Sequence, residues 1–289
     1  MGPGFKYHVI TISAIFLALT VGLVVGSLTV SPRLVRTFSG ALHNLNITVQ
    51  QDLAAKRQQV ANYQKFLDKV MPSLVQKDLQ GQAVTLIQVG DYSDPIPAIQ
   101  TVVSQAGGEV VNVITLQHIL SDDGSLLDQR LNELHSDHPN LPPTRAKLLN
   151  LLATTLVKGE NASEPVLGPL QDAGLISFHS SYPIQPVCHR FVLLAGSHAD
   201  ATARVTAVDA PLIAALQHLG ATVVMCEPQN AAVSDVPVYH ALGLQVPTID
   251  NVDDRIGLYS LVLTLQGGVG GDFGVKPTAK DLIPTPSSS

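Results

Sequence analysis

The residues most able to do chemistry are few and scattered. Met225-Cys226 ends one apolar run, and Cys188-His189 begins another. Thiolate, thioether and imidazole are ligands that suit Cu(I). In a parallel sheet these two positions fall at opposite edges, which argues against a shared site or a disulfide. Cys226 is the metal-ligand candidate of the two, because ligands bind at the carboxyl ends of strands in an α/β sheet. A thiol in such a run otherwise packs as a small hydrophobe. Of ten histidines only His135 and His138 are close together, in a polar loop beside Pro139 that reads as solvated. Asp250-Asn251-Val252-Asp253-Asp254 is an acidic cluster ahead of a helical pattern. It reads as an N-cap, with carboxylates accepting from free backbone donors and favouring the positive end of the helix dipole. A cation or partner contact is the alternative.

Motifs for catalysis are missing. There is no G-x-S-x-G and no H-E-x-x-H. The first strand pattern leads into Gly90-Asp91-Tyr92-Ser93-Asp94-Pro95, which is neither a dinucleotide fingerprint nor a Walker loop. The glycine-dense run Gly267–Gly274 follows a helix pattern, and Phe273 stands where Gly268-x-Gly270 would need its third glycine. It reads as a tight surface turn. The expectation is therefore a non-enzyme with no cofactor, copper being the one metal worth testing.

Composition narrows the class. The 289 residues are 45% hydrophobic and 14% charged, with net charge −6. That excludes a disordered chain, which needs low hydrophobicity and high net charge, and argues against a nucleic-acid partner. Two cysteines are too few for a disulfide scaffold or a four-thiolate zinc site.

The elements that must position these residues come in three parts after a short flank, residues 1–8. Residues 9–30 carry no charge. At about 1.5 Å per residue they cross a hydrocarbon core about 30 Å thick. A cleaved signal peptide has a shorter apolar core and an A-x-A-like site, so an uncleaved transmembrane anchor is expected. Lys6 before it and Arg33 and Arg36 after it nearly balance, so charge counting leaves the orientation open. Ala18, Gly22 and Gly26 form a small-xxx-small stripe that lets two helices approach closely in lipid. Residues 31–80 read as a polar helical stalk. Its heptad frame (Leu42, Val49, Lys56, Tyr63, Val70) is interrupted by polar residues, consistent with an imperfect parallel coiled coil or a single amphipathic helix, and Pro72 ends the pattern.

In residues 81–283 fully apolar strands alternate with helices: Ala83–Val89, Glu109–Thr115, Phe191–Ala195 and Thr222–Cys226, with Leu175–Phe178 as a further strand. That pattern means a sheet covered on both faces. The expected fold is α/β, a Rossmann- or flavodoxin-like parallel sheet, with a disordered tail at 284–289.

Two stretches carry a resemblance. Tyr7-His8-Val9 through Gly26-Ser27, and Val246-Pro247-Thr248-Ile249-Asp250-Asn251-Val252-Asp253 with Gly271-Asp272-Phe273-Gly274, resemble the copper transport outer membrane protein family (MctB). Leu170–Ile176 fits the same pattern. The resemblance makes Asp250, Asn251 and Asp253 family-motif residues. It implies a single-pass envelope protein with its C-terminal domain outside the cytoplasm and a role in copper transport, efflux or homeostasis. It also implies a homodimer. SteB-like relatives imply the alternative, a dimeric scaffold docking a second membrane protein in envelope or division control. The residues themselves do not build a channel: one apolar helix cannot line a pore, and the strands lack the alternation of an outer-membrane barrel.

Overall fold

The computed structural model describes residues 3–29, 32–161, 163–182, 186–267 and 270–285. Val30, Ser31, Gly268 and the tail from Pro286 lie outside the described residues. The chain divides into two units, Met1–Lys65 and Phe66–Ser289.

In the first unit, α1 (Pro3–Thr29) contains Tyr7–Gly26, the one described stretch long and apolar enough to cross a membrane. Two of its hydroxyls bond within the helix: Thr11 donates to the Tyr7 carbonyl at 2.8 Å and Thr20 to that of Phe16 at 2.6 Å. Such local pairing is what a low-dielectric surrounding demands. A Cβ added at Gly22 would meet no atom within 4 Å, so the small-residue face is open. Helix α2 (Pro32–Leu74) follows, with Val49, Leu53, Val60 and Tyr63 exposed along it.

Pro72 does not end α2, which runs on to Leu74. The reason lies in the second unit: Met71, Val75 and Leu79 are buried in its core, so packing outweighs the lost backbone donor.

That unit is built on a seven-stranded sheet in the order β3-β2-β1-β4-β5-β6-β7. The strands are β1 (Ala83–Gln88), β2 (Glu109–Leu116), β3 (Ile176–Ser180), β4 (Arg190–Leu194), β5 (Thr222–Cys226), β6 (Thr248–Ile249) and β7 (Asp272–Phe273). All pairs are parallel except β2–β3. The expected parallel sheet is thus corrected at one edge. Helices α4 (Ser125–Asp137), α5 (Arg145–Lys158) and α6 (Leu167–Asp172) bring the chain back so that β3 runs against β2. The glycine run is corrected too: it holds the edge strand β7 rather than only a turn.

Side-chain alternation fills two cores. Ile87, Ile114, Phe191, Leu193, Val223 and Met225 face one layer, formed by α4, α5, α6, α8 (Ala210–His218) and α9 (Val236–Ala241). Val84, Leu86, Val192, Leu194, Val224 and Cys226 face the other, formed by the end of α2, α3 (Ile96–Gln105) and α10 (Arg255–Gly267). Strands buried on both faces explain why they read as continuous apolar runs.

Candidate functional site

The strand order reverses direction between β1 and β4: the chain leaves β1 toward β2 and leaves β4 toward β5. In open α/β sheets ligands bind outside the carboxyl ends at such a switch point. Here the two strand ends close tightly. The Gly90 amide donates to the Leu194 carbonyl at 3.0 Å, and a Cβ at Gly90 would collide with the Gly196 carbonyl. The next residue, Asp91, projects from the end of β1 between two histidines. Its Oδ2 accepts from the His198 backbone amide at 2.7 Å, and its Oδ1 lies 3.3 Å from His118 Nε2. His118 opens the 3-10 turn His118–Ser121 after β2, and His198 follows β4. The Tyr92 and His198 rings meet edge to face at 4.6 Å.

Beneath this rim lies a buried charge network. Arg204 donates to Asp209 Oδ2 at 2.7 Å and also to Asp235. Both carboxylate side chains are fully buried, and the Arg204 side chain is 11% exposed. Tyr239 donates to Asp209 Oδ2 at 2.8 Å, and the Gly196 amide and Ser197 hydroxyl donate to Asp235 at 2.7 and 3.0 Å. Asp209 Oδ1 has no partner. Burial pushes Asp209 up to about 6, against the pull of Arg204. Asp209 closes a π-helical turn, Val205–Asp209, between the short α7 (Thr202–Arg204) and α8. Such turns recur at functional positions.

A second cluster ties the C-terminal segment down. Glu227, just past β5, accepts from Lys276 Nζ at 2.6 Å, from the Ser234 hydroxyl at 2.5 Å and from the Asp235 amide at 2.9 Å. Burial raises the Glu227 pKa despite Lys276. Asp250 accepts from the backbone amides of Val275 (2.7 Å) and Lys276 (2.9 Å). Gly274, at φ +135°, is required there because a side chain would run into the Asp250 carboxylate.

Within the acidic cluster the N-cap role falls to one carboxylate. Asp254 alone caps α10, its Oδ2 accepting from the Ile256 amide at 3.2 Å. Asp253 accepts from the Gln229 amide at 2.7 Å. Asn251 is buried with both side-chain polar atoms unpartnered. Asp250 and Asp253 thus tie loops together, the buried Asp250 carboxylate satisfying two backbone amides at once.

Cys226 lies at the carboxyl edge as expected, but its side chain points into the apolar layer beside α10 with no exposure. Burial pushes its thiol far up, and Met225 faces the opposite layer. Cys188 is buried at the other end of the sheet and donates to the Ala83 and Arg190 carbonyls at 3.3 and 3.2 Å. The two thiols are not brought together. His135 is not simply solvated: its Nδ1 lies 2.6 Å from the Leu141 carbonyl. Away from the switch point, a cleft of about 700 Å³ is lined by His240, Gly271, Asp272 and Lys280. Its Asp272 is paired with His240 (2.9 Å) and Lys280 (2.6 Å). Among the described residues no group of three or more His, Cys, Asp or Glu side chains is placed to hold a metal ion.

Sequence reading missed Arg204, Asp209, Asp235, Glu227, Tyr239 and Lys276. One signal was available: Asp209 interrupts the apolar stripe Val205, Val208, Leu212, where a lone charge must find a partner.

The fold and this edge define a doubly wound α/β module in a chain that, among its described residues, also carries one helix apolar enough for a membrane. The chain belongs to the family described as copper transport outer membrane protein, MctB, whose model it matches over residues 4–284. It is similar to proteins named copper transporter MctB in Mycobacterium tuberculosis and Mycobacterium bovis, each 24% identical over 300 residues, covering 93% of this chain and 95% of the relative. The protein of that name in Mycobacterium leprae is 26% identical over 308 residues, with the same coverage.

Proposed function

We propose that this protein is a single-pass envelope protein whose C-terminal α/β module lies outside the cytoplasm and which limits cell copper. The observation that carries this is the end-to-end family match, residues 4–284, over both the apolar helix and the α/β module. The relatives' printed name, copper transporter, supplies the cargo. The module is not the pore. Its sheet is open, not a closed barrel, and its strands are covered on both faces by helices. Catalysis plays no part in this reading. The buried carboxylates at the switch point are occupied by Arg204 and Lys276, and they hold loops together. Deletion of the gene should raise cell copper content, and re-expression should restore it. Unchanged copper content and copper tolerance on deletion would defeat the copper role.

A second reading has its own support. Small residues Ala18, Gly22 and Gly26 on α1 and the exposed apolar residues of α2 suit pairing of two copies, as a homodimeric scaffold for a second membrane protein. Here copper control would run through the partner. Crosslinking in intact membranes should then recover a homodimer with one specific partner. Recovery of monomer alone would sink this version.

A further inference from the structure

We infer that the cleft between the end of α9 and the edge strand β7 binds a small molecule that carries an oxyanion, a phosphate or a carboxylate, on a compact apolar body. The inference stands apart from the copper reading and uses none of its residues. The cleft measures about 700 Å³ and lies at the far edge of the sheet from the switch point. That volume falls within the range of small-molecule pockets, about 300–1,000 Å³, in which a few polar groups are set into an apolar wall. Leu244, Val246 and Pro247 supply an apolar side here, and His240, Thr278 and Lys280 a polar one.

The polar side has donors to spare. Thr278 Oγ1 is shut off from solvent and bonds to no described group. A buried hydroxyl left in that state costs stability, and an oxyanion in the cleft would accept from it. Lys280 Nζ stands 2.6 Å from Asp272 Oδ2, and its side chain is 76% exposed. An ammonium carries further N–H donors beyond the one given to Asp272, and these are open to a ligand. Nor is the lysine side chain needed to hold its own segment. The backbone amides of Lys280 and Asp281 already donate to the Asp272 carbonyl, at 2.8 and 3.2 Å.

A cation is the poorer occupant. Asp272 is the one carboxylate among the described residues of this wall, and both its oxygens are engaged. Oδ1 accepts from the Thr248 hydroxyl at 3.0 Å and lies 2.9 Å from His240 Nε2, while Oδ2 pairs with Lys280. The acid is thus spent on orienting a lysine and an imidazole at the cleft. Gly270 and Gly271 complete the wall with bare backbone. A Cβ at Gly270 would meet no atom within 4 Å, whereas one at Gly271 would strike the Phe273 ring. Backbone free of side chains is what lets an oxyanion come close, and the glycine-dense run supplies it here.

The test uses the full chain in neutral detergent micelles, with fluorine NMR line widths of added probes set against empty micelles. The probes are para-fluorophenyl phosphate, para-fluorobenzoate and the uncharged para-fluorobenzamide. One or both anions should broaden, and the amide should not. Lys280→Gln should weaken the bound anion on the order of 10-fold or more, and Thr278→Val by roughly 5-fold. Lys280→Arg should keep it, and Lys147→Gln, on α5, should change nothing. Thermal melts confirm that each variant is folded, as the exposure of Lys280 leads one to expect. Displacement of the probe by glycerol phosphate supports the site with a soluble ester as its ligand. Displacement by phosphatidylglycerol in the micelles, and not by glycerol phosphate, supports it with a lipid headgroup as the source. No broadening of either anion, broadening that both Lys280→Gln and Thr278→Val leave unchanged, or equal broadening of the amide overturns the site.

Discussion

Arg204 holds Asp209 at 2.7 Å through one carboxylate oxygen, Oδ2, while the other oxygen of Asp209 is buried without a partner. The same guanidinium also serves Asp235. One cation thus pairs with two fully buried carboxylates and fixes the π-helical turn after β4 to the start of α9.

Removing that cation should be costly. Arg204→Met leaves Asp209 and Asp235 buried and uncompensated, which costs about 3–5 kcal/mol. Denaturant unfolding of the chain in micelles measures the loss. A change below about 1 kcal/mol, the scale of an exposed ion pair, would mean the network contributes little.

The pH dependence of that site has a definite sign. Asp209 titrates near 6 in the folded chain because burial disfavours its charge, above the ordinary value of 3.8. An acid whose folded pKa is raised holds its proton more tightly in the folded state, so its contribution is full below about 4 and is lost as pH rises through about 6. Asp209→Asn, which does not titrate, should therefore be penalised more at pH 4.5 than at pH 7. The difference is on the order of 2 kcal/mol. Thermal melts of both chains at the two pH values read this directly. A penalty that grows with pH would show that Arg204 outweighs burial.

Gly274 should not tolerate a side chain. At φ +135° and against the Asp250 carboxylate, Gly274→Ala meets both backbone strain and a collision. Strain of this kind costs about 1–3 kcal/mol, with loss of the Val275 and Lys276 amide bonds added. Hydrogen exchange at those two amides should accelerate by an order of magnitude or more in Gly274→Ala and in Asp250→Ala. Unchanged protection would mean the C-terminal segment is held by other contacts.

Cys226 should be inert in the native chain. It has no exposed surface, and burial raises its thiol pKa far above the ordinary 9.0. Alkylation at pH 8 should label it only on unfolding, because the thiolate is the reactive form. Cys226→Ser places a hydroxyl among apolar side chains and should cost about 1–3 kcal/mol, more than Cys226→Ala. Rapid native labelling would contradict the packing described for this edge.

Much of this architecture was readable because its strands are apolar on both faces. Ala83–Gln88, Glu109–Leu116, Arg190–Leu194 and Thr222–Cys226 fall where continuous apolar runs, each near a glycine-stopped helix, put them. The two-residue strands β6 and β7 have no such run, since a ladder of two residues is specified by neighbours and not by its own sequence. The antiparallel placement of β3 depends on how three intervening helices fold back, which no local pattern encodes. The polar edge was the least legible part. Arg204, Asp235 and Tyr239 are ordinary residues in sequence, and only the reversal of strand order brings them onto Asp209. Asp250 looked like a helix cap because its partners, Val275 and Lys276, lie on the far side of α10 and β7.

The claim that most needs testing is that copper control requires the α/β module to be carried on its apolar helix. Cell copper should be measured in a deletion strain expressing either the full chain or a chain lacking residues 3–29. Copper should be raised on deletion, return to the wild-type level with the full chain, and stay raised with the shortened one. Equal restoration by both chains would contradict the anchored role, and no change on deletion would contradict the copper role itself.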